Sequence, residues 1–432
     1  MFVSDCLDVN SKGHLTIGGC DTVELASAYG TPLYVMDEQT IRENCRRFRK
    51  SIEENYHGRG LVLYASKVLS CKEIYRIAAD EGLGVDVVSG GELYTAAQSG
   101  FPMERVVFHG NNKTAEEMRM GLEYGIGRFV VDNLIELDKL NNIAASMNRT
   151  AKIMLRIKPG IDAHTHSFIQ TGQIDSKFGV ALENGEAMQA VKKAITLSNI
   201  ELLGLHCHIG SQIFDIEPFE LAAKVMIDFI YDIKKETNLE IQELNLGGGF
   251  GIRYIETDHP QPGENYMKRV ASVVNNTCAE YGIPAPFIYI EPGRSITGPA
   301  GLTLYTVGSV KTIENVRTYV AVDGGMADNP RYILYQSDYD VLVADRAAQP
   351  RDFKATIAGR CCESGDLIQE NTMIQKPENG DILAVLATGA YNYSMASNYN
   401  RIPKPAMVMV NNGIPRIIIQ RETYEDLVRN DV

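Results

Sequence analysis

The chain has 432 residues, 44% of them hydrophobic and 22% charged, with a formal net charge of −13 at pH 7. That length allows two or three domains, and that composition is ordinary for a globular protein. The acidic balance argues against non-specific nucleic-acid binding and against docking on anionic membranes. No apolar stretch approaches the ~20 residues needed to span a bilayer.

The opening MFVSDCLDVN has neither a basic flank nor a long apolar core, so no secretory signal is expected. Two short β-like runs follow, HLTIGG and PLYVMD. Then β-rich runs alternate with amphipathic stretches: LVLYASK (61–67), GVDVVS (84–89), RVVFHG (105–110), RFVVDN (128–133), KIMLRIK (152–158), LLGLHCHIG (202–210), ELNLGGG (243–249) and FIYIEPGR (287–294). KEIYRIAADEG and GEAMQAVKKAITLS between them carry helical periodicity. Strands alternating with helices imply parallel βαβ units. Eight such units match a (β/α)8 barrel, which typically takes ~250 residues. After residue 295 the texture changes to short alternating strands with turn residues between them: GLTLYTVGSVKTI, RTYVAVDGG, DILAVLATGAY and AMVMVNNGIPRIIIQ. These predict a second, mainly antiparallel β-sandwich or barrel domain, joined by the N-terminal strands. The expected division is 34–298 for the barrel and 1–33 with 299–432 for the β domain.

Eight cysteines lie at 6, 20, 45, 71, 207, 278, 361 and 362 with no CxxC pair, so a zinc ribbon or thioredoxin-type site has little support. Adjacent Cys361 and Cys362 could hardly bridge to each other without strain. All eight read as reduced thiols of a cytoplasmic protein.

The chemistry begins at Lys67, which ends the apolar run in LYASKVLSCKE. Lysine is rarely fully buried. The plain reading is a strand-end ammonium that snorkels to water; the alternative is an amine held for chemistry. Barrel enzymes keep their chemistry at the C-terminal ends of the strands. There the unusual residues cluster: Lys67, Asp86, His109, Asn133, Arg156, His208, Gly247 to Gly249 and Glu291. That coincidence favours a function for Lys67. In NLGGGFG, three glycines permit close approach to an anion and a nest of N–H groups, or simply a tight turn. Loops after the last two barrel strands often bind phosphate. In GLHCHIGSQ, His206 and His208 face the same way, with Cys207 opposite. A metal pair there would need a third ligand, for which Glu291 and Asp86 are the candidates; a structural histidine is the plain alternative. Ser211 lies just beyond and suits a phosphate. Glu291, in IEPGRS, wants a cation or hydrogen-bond donors if buried. Arg294 could serve, or the protonated ring nitrogen of a cofactor. An amine for a Schiff base, a phosphate cradle and a carboxylate for a pyridinium together describe pyridoxal 5′-phosphate (PLP).

The motifs YASK, GVDVVSGGEL, FHGNNKT, HCHIGSQ, LNLGGGFG, EPGRS, DGGMADNPR, CCESGD and ATGAYNYSMASNYNRIPKPA run in order from about residue 64 to 406. Through them the chain resembles the fold-type III PLP-dependent decarboxylases, and among these the diaminopimelate decarboxylase family. The resemblance implies decarboxylation of meso-2,6-diaminopimelate to L-lysine and CO2, the last step of lysine biosynthesis. Lys67 would hold PLP as a Schiff base, with Asp86 orienting it. His208 would stack on the ring and Glu291 would meet its nitrogen. Ser211, Gly247, Gly248, Gly249, Gly293, Arg294 and Tyr391 would bind the cofactor. Arg294, Arg331, Tyr335 and Tyr391 would bind substrate, Glu363 its distal ammonium, and Cys362 would return a proton to Cα. The resemblance also implies a homodimer with shared active sites, in which Cys362 and Glu363 serve the other subunit and the β domain contributes to site and interface. No metal, nucleic acid or membrane is implied. Diaminopimelate carries a second carboxylate that arginine suits, and Arg294 and Arg331 supply arginines. The alternatives are a decarboxylase of the same fold for ornithine, lysine, arginine or a polyamine precursor, and a metal-dependent barrel hydrolase using His206 and His208. Tyr332 and Gln336 depart from the family pattern, where proline and glycine are frequent.

Overall fold

The computed structural model describes residues 2–161 and 176–432. They divide into two compact units: Asn44–Gly251 with Pro260–Ser295, and Met1–Glu43 with Ile252–His259 and Ile296–Val432.

The first unit is a closed parallel barrel. Its strands are β1 (Gly60–Ala65), β2 (Gly84–Val87), β3 (Val106–Phe108), β4 (Arg128–Val131), β5 (Ala151–Lys158), β6 (Ile200–His206), β7 (Glu243–Asn245) and β8 (Phe287–Ile290). Consecutive strands pair in parallel, and β8 returns to β1 with Tyr289 opposite Leu61, which closes the ring. A two-residue strand, Val180–Ala181, adds to the outside of β5. Side chains alternate along each strand, so one set fills the barrel. Leu63, Val107, Val130, Met154 and Tyr289 form that interior cluster. At the strand starts, Arg128 grips Glu243 with paired bonds of 2.8 and 2.5 Å, and the Tyr289 hydroxyl donates to the same carboxylate at 3.3 Å. This end of a barrel is a stability face, and the other end is left for chemistry.

Helices begin where side-chain acceptors satisfy their free N–H groups. Ser89 caps Gly90–Ser99, and Thr114 caps Ala115–Tyr124 in a capping box with Glu117. Asn133, one of the rim residues singled out from sequence, caps Leu134–Ser146 by accepting from Glu136 N at 2.9 Å. Its place at the rim has a local structural cause.

The second unit is a mixed sheet in the order 367–374, 353–358, 317–322, 301–313, 33–37, 406–411 and 414–419. Strand Gly301–Ile313 is its spine. Its first half pairs with Leu33–Asp37 and Ile382–Val385, and its second half, past an irregularity between Val307 and Ser309, pairs with Arg317–Val322. Two pairings are parallel, 33–37 with 406–411 and 317–322 with 353–358. Leu33, Val35, Leu304, Val320, Val341, Leu383 and Val408 lie in one core, and Leu15 and Ile17 of a small N-terminal sheet join it. The units divide at Glu43 and Ser295 rather than at 34 and 298, the boundaries expected from sequence. Leu33–Asp37 is hydrogen-bonded between two strands of the β unit, and Ile252 and Tyr254 pack into its core. Among the described residues, no helix is long and apolar enough to cross a membrane.

Candidate active site

Lys67 follows β1 in a single 3₁₀ turn, Ser66–Val68. Ser66 and Val68 on either side are buried, at 0% and 1% exposure, whereas Lys67 is exposed. Tyr64 pins the turn by donating to Leu69 O at 2.9 Å, and Ser66 donates to Glu92 at 3.1 Å. The lysine is thus presented by a rigid turn at the C-terminal end of a central strand. Asp86, the last residue but one of β2, is buried, and its Oδ1 has no hydrogen-bond partner among the described residues. Burial pushes its carboxyl well above the usual range, Glu291 adds to this, and the Lys67 ammonium opposes it.

Glu291 follows β8 and is 7% exposed. Burial alone would raise its pKa, but His109 and His206 outweigh that and hold it well below the usual carboxylate range. Its Oε1 accepts from His109 Nε2 and Asn245 Nδ2, both at 2.7 Å, and its Oε2 accepts from His206 Nε2 at 3.3 Å. Burial lowers both imidazole pKa values, that of His206 to about 3, and each ring donates to the carboxylate through Nε2–H. The two rings meet edge to face at 4.7 Å. Asn245 is itself oriented, because its Oδ1 accepts from Gly247 N at 2.9 Å. An ionised carboxylate offers about four lone-pair sites. Three are taken, which leaves one on Oε2.

His208 lies just beyond β6. Its Nδ1 accepts from Gly248 N at 3.3 Å, so its proton is on Nε2. Burial, then the Lys67 charge, pushes its pKa well below normal. The glycine turn therefore does something the sequence did not suggest. The N–H groups of Gly247 and Gly248 serve Asn245 and His208. Of the three expected nest amides, Gly249 is the one for which neither bond accounts. The requirement for glycine here is steric: a Cβ on Gly247, at φ +69°, would lie 2.6 Å from Cys207 O, and one on Gly248 would lie 2.0 Å from Glu291 O. Ser211 accepts from Arg294 Nη2 at 2.8 Å, so these two predicted cofactor residues meet. Gly293 lets the β8 end approach β1, since a Cβ there would lie 2.8 Å from Ala65 Cβ.

The metal reading paired His206 with His208. The structure instead sets His206 against His109 and Glu291, and His208 against Gly248. The atoms His109, His206 and Glu291 would offer an ion lie within 4.8 Å of one another and bond to each other directly. His109 and Asn245 are functional candidates whose partner could not be read from sequence. Each occupied a strand end, which was the available signal.

In the β unit, Arg331 opens the one-turn helix Arg331–Tyr335 and is 6% exposed. Its Nη1 donates to the hydroxyls of Tyr254 and Tyr339, both at 3.0 Å, and its Nη2 donates to Ser337 Oγ at 3.2 Å. The rings of Tyr254, Tyr335, Tyr339 and Tyr391 stand 5.2 to 5.9 Å from the guanidinium. Among the described residues it has no carboxylate partner. Tyr391 has a left-handed backbone, φ +72°, unusual for a bulky residue and typical of functional sites. Cys362 and Glu363 are exposed on a loop whose backbone is held inside the unit. Cys362 N donates to Asn400 Oδ1 at 2.7 Å, Glu363 N to Cys361 O at 2.8 Å, and Cys361 N to the buried Asp366 at 2.7 Å.

Residues 38–298 match the family model for the pyridoxal-binding domain of pyridoxal-dependent decarboxylases. The chain is 51% identical over 432 residues to diaminopimelate decarboxylase of Halalkalibacterium halodurans, covering 100% of this chain and 98% of that protein. It is 48% identical over 435 residues to the Bacillus subtilis enzyme of the same name, with coverage of 100% and 98%. Among solved structures, diaminopimelate decarboxylase from M. jannaschii in complex with L-lysine superposes with a TM-score of 0.92 at 37% identity, covering 100% of this chain and 99% of that one.

Proposed function

The chain belongs to the diaminopimelate decarboxylase family of PLP-dependent enzymes, and on that premise we propose how its own residues carry out the reaction. The reaction removes CO2 from meso-2,6-diaminopimelate and leaves L-lysine, the last step of lysine biosynthesis. PLP, when bound, supplies an aldehyde for an amine and an electron-withdrawing ring that takes up the electrons left at Cα.

The barrel residues fit that group. Lys67 presents an amine, and Asp86, whose Oδ1 has no partner among the described residues, is the group that would orient it in this reading. Glu291 is held ionised with one lone pair remaining, which suits a ring N–H. His208, its tautomer set by Gly248, offers a neutral ring for stacking. Ser211, Gly249, Gly293 and Arg294 are the phosphate ligands in this reading, with Tyr391.

Substrate choice rests on Arg331. A buried guanidinium whose partners are phenols and a hydroxyl carries an uncompensated charge, and burying a charge unmatched is costly. The distal carboxylate of diaminopimelate would match it. Ornithine and lysine have no such group. Tyr335 and Tyr391 line the guanidinium, Arg294 is the second arginine, and Glu363 takes the distal ammonium. Cys362 returns the proton to Cα.

We also infer a cytoplasmic homodimer in which Cys362 and Glu363 complete the partner's site. Eight free thiols and the exposure of both residues on a tied loop support this. The decisive test is CO2 release by the PLP-loaded protein from meso-diaminopimelate beside L-ornithine, L-lysine and L-arginine. Release from diaminopimelate alone is expected; release from L-ornithine would overturn the role of Arg331. The dimer has its own test. Mixing Lys67→Ala and Cys362→Ala subunits should restore about a quarter of wild-type activity, because half of the statistical dimers carry one intact site. No recovery on mixing would show that each subunit uses its own cysteine.

A further inference from the structure

Arg331 stands on a helix of five residues, Arg331–Tyr335. A single turn has no stability of its own. It has no side-chain cap at its start and ends at Gln336 in a left-handed conformation. Its placement must come from what it touches. Tyr332 donates its hydroxyl to Glu370 Oε2 at 2.6 Å. The other carboxylate oxygen of Glu370 accepts from Arg317, whose guanidinium stands 5.6 Å from the Tyr319 ring. The helix is thereby tied to two strands, Leu367–Ile374 and Arg317–Val322. The neighbour of Glu370 ties the other side. Gln369 Oε1 accepts from Tyr339 N at 2.9 Å and its Nε2 donates to Asp338 at 2.7 Å. Tyr339 is one of the phenols that hold Arg331. Two successive residues of one strand therefore grip both the helix that carries Arg331 and the segment that lines it.

We propose that Tyr332 and Glu370 are positioning residues for recognition of the distal carboxylate. They act through Arg331 and touch no substrate. Tyr332 is then a working part of this chain's specificity, and its hydroxyl is the group that matters. The inference rests on the reading that Arg331 receives that carboxylate. L-lysine keeps the distal carboxylate, because the carboxylate lost as CO2 is the one on the reacting carbon, so its affinity should depend on the brace; that of cadaverine, the C5 diamine without a carboxylate, should not.

The experiment uses Tyr332→Phe, which keeps the ring and removes the bond. In the PLP-loaded enzyme, KM for meso-diaminopimelate should rise about tenfold with kcat within about twofold, the effect of losing one hydrogen bond to a charged acceptor in substrate binding. The inhibition constant of L-lysine, which keeps the distal carboxylate, should rise by a similar factor, and that of cadaverine should stay within about twofold. Glu370→Gln, which keeps an acceptor for Tyr332 but loses the Arg317 ion pair, should give a smaller rise. An unchanged KM in Tyr332→Phe would overturn the proposal. So would a parallel weakening of cadaverine, which would mark a general loss of structure. Arg331→Lys, measured beside them, separates the two layers. If it leaves KM unchanged, the reading of Arg331 itself fails. If it raises KM while Tyr332→Phe does not, the brace alone fails.

Discussion

Each unit of this protein buries a charge, and the two are treated in opposite ways. In the barrel, Glu291 is surrounded by donors: two imidazoles and an amide aim N–H groups at it. In the β unit, Arg331 is surrounded by phenols and a hydroxyl, none of them anionic in the resting protein. The first charge is settled before any ligand arrives, with one lone pair to spare. The second is only solvated, and a carboxylate would complete it. The difference teaches where each ligand group belongs: a cationic ring nitrogen at Glu291 and an anion at Arg331.

Four substitutions sharpen or break that contrast. The largest effect should come from Lys67→Ala, which removes the amine proposed to hold PLP: CO2 release is lost and so is the visible absorbance of the lysine–PLP Schiff base. Persistence of that band would remove Lys67 from the mechanism. Next is Arg331→Ala, which deletes the waiting charge. Loss of a buried, charge-assisted pair is worth about 2–5 kcal/mol, so kcat/KM for diaminopimelate should fall about 10²–10³-fold, while inhibition by cadaverine, which has no carboxylate, changes little. Equal losses for both molecules would mean that Arg331 supports the fold rather than the distal carboxylate. Glu291→Gln should lower kcat about 10²-fold, because the amide holds ring protonation less well. His109→Gln, which retains one donor, should cost about tenfold, and a wild-type rate in that variant would show that Glu291 needs no help from the histidine.

Much of the barrel could be read along the chain, for a physical reason. Strands buried on both faces are continuous apolar runs, and each of the eight quoted runs holds a barrel strand. The rim followed, because the residue after such a run stands at the strand's C-terminal end. What each rim residue touches did not follow. His109 and Glu291 are 182 positions apart and meet because β3 and β8 belong to one closed ring. Asn133 looked like its rim neighbours but caps a helix. In the β unit, Leu33–Asp37 is a strand by pattern, yet its allegiance is decided by parallel pairing with 406–411. The bonds that spend the Gly247 and Gly248 amides also lie outside local pattern, since His208 reaches the turn from another strand end.

The smallest effect concerns a second pair of buried carboxylates and breaks the symmetry between the units most cleanly. Asp328, in the β unit, is 2% exposed. The Tyr305 hydroxyl donates to its Oδ1 and Gly325 N to its Oδ2 at 3.0 Å. Burial outweighs these donors and pushes its pKa up from 3.8 to about 7. Glu291 moves the other way. A carboxyl whose folded pKa is raised contributes stability that is complete below its unfolded value and is lost as pH rises through the folded one. Asp328 should therefore weaken the fold between about pH 4 and about pH 7. Glu291, depressed, contributes stability present above its unfolded value and lost as pH falls below it. Asp328→Asn keeps an acceptor for Tyr305 and has nothing to ionise. Its Tm, relative to wild type, should rise by a few degrees as pH goes from about 4 to about 7, whereas Glu291→Gln should narrow its gap to wild type as pH falls below about 4.5. A wild-type and an Asp328→Asn curve that stay parallel would mean that the Tyr305 and Gly325 donors hold Asp328 ionised after all, as the donors around Glu291 do.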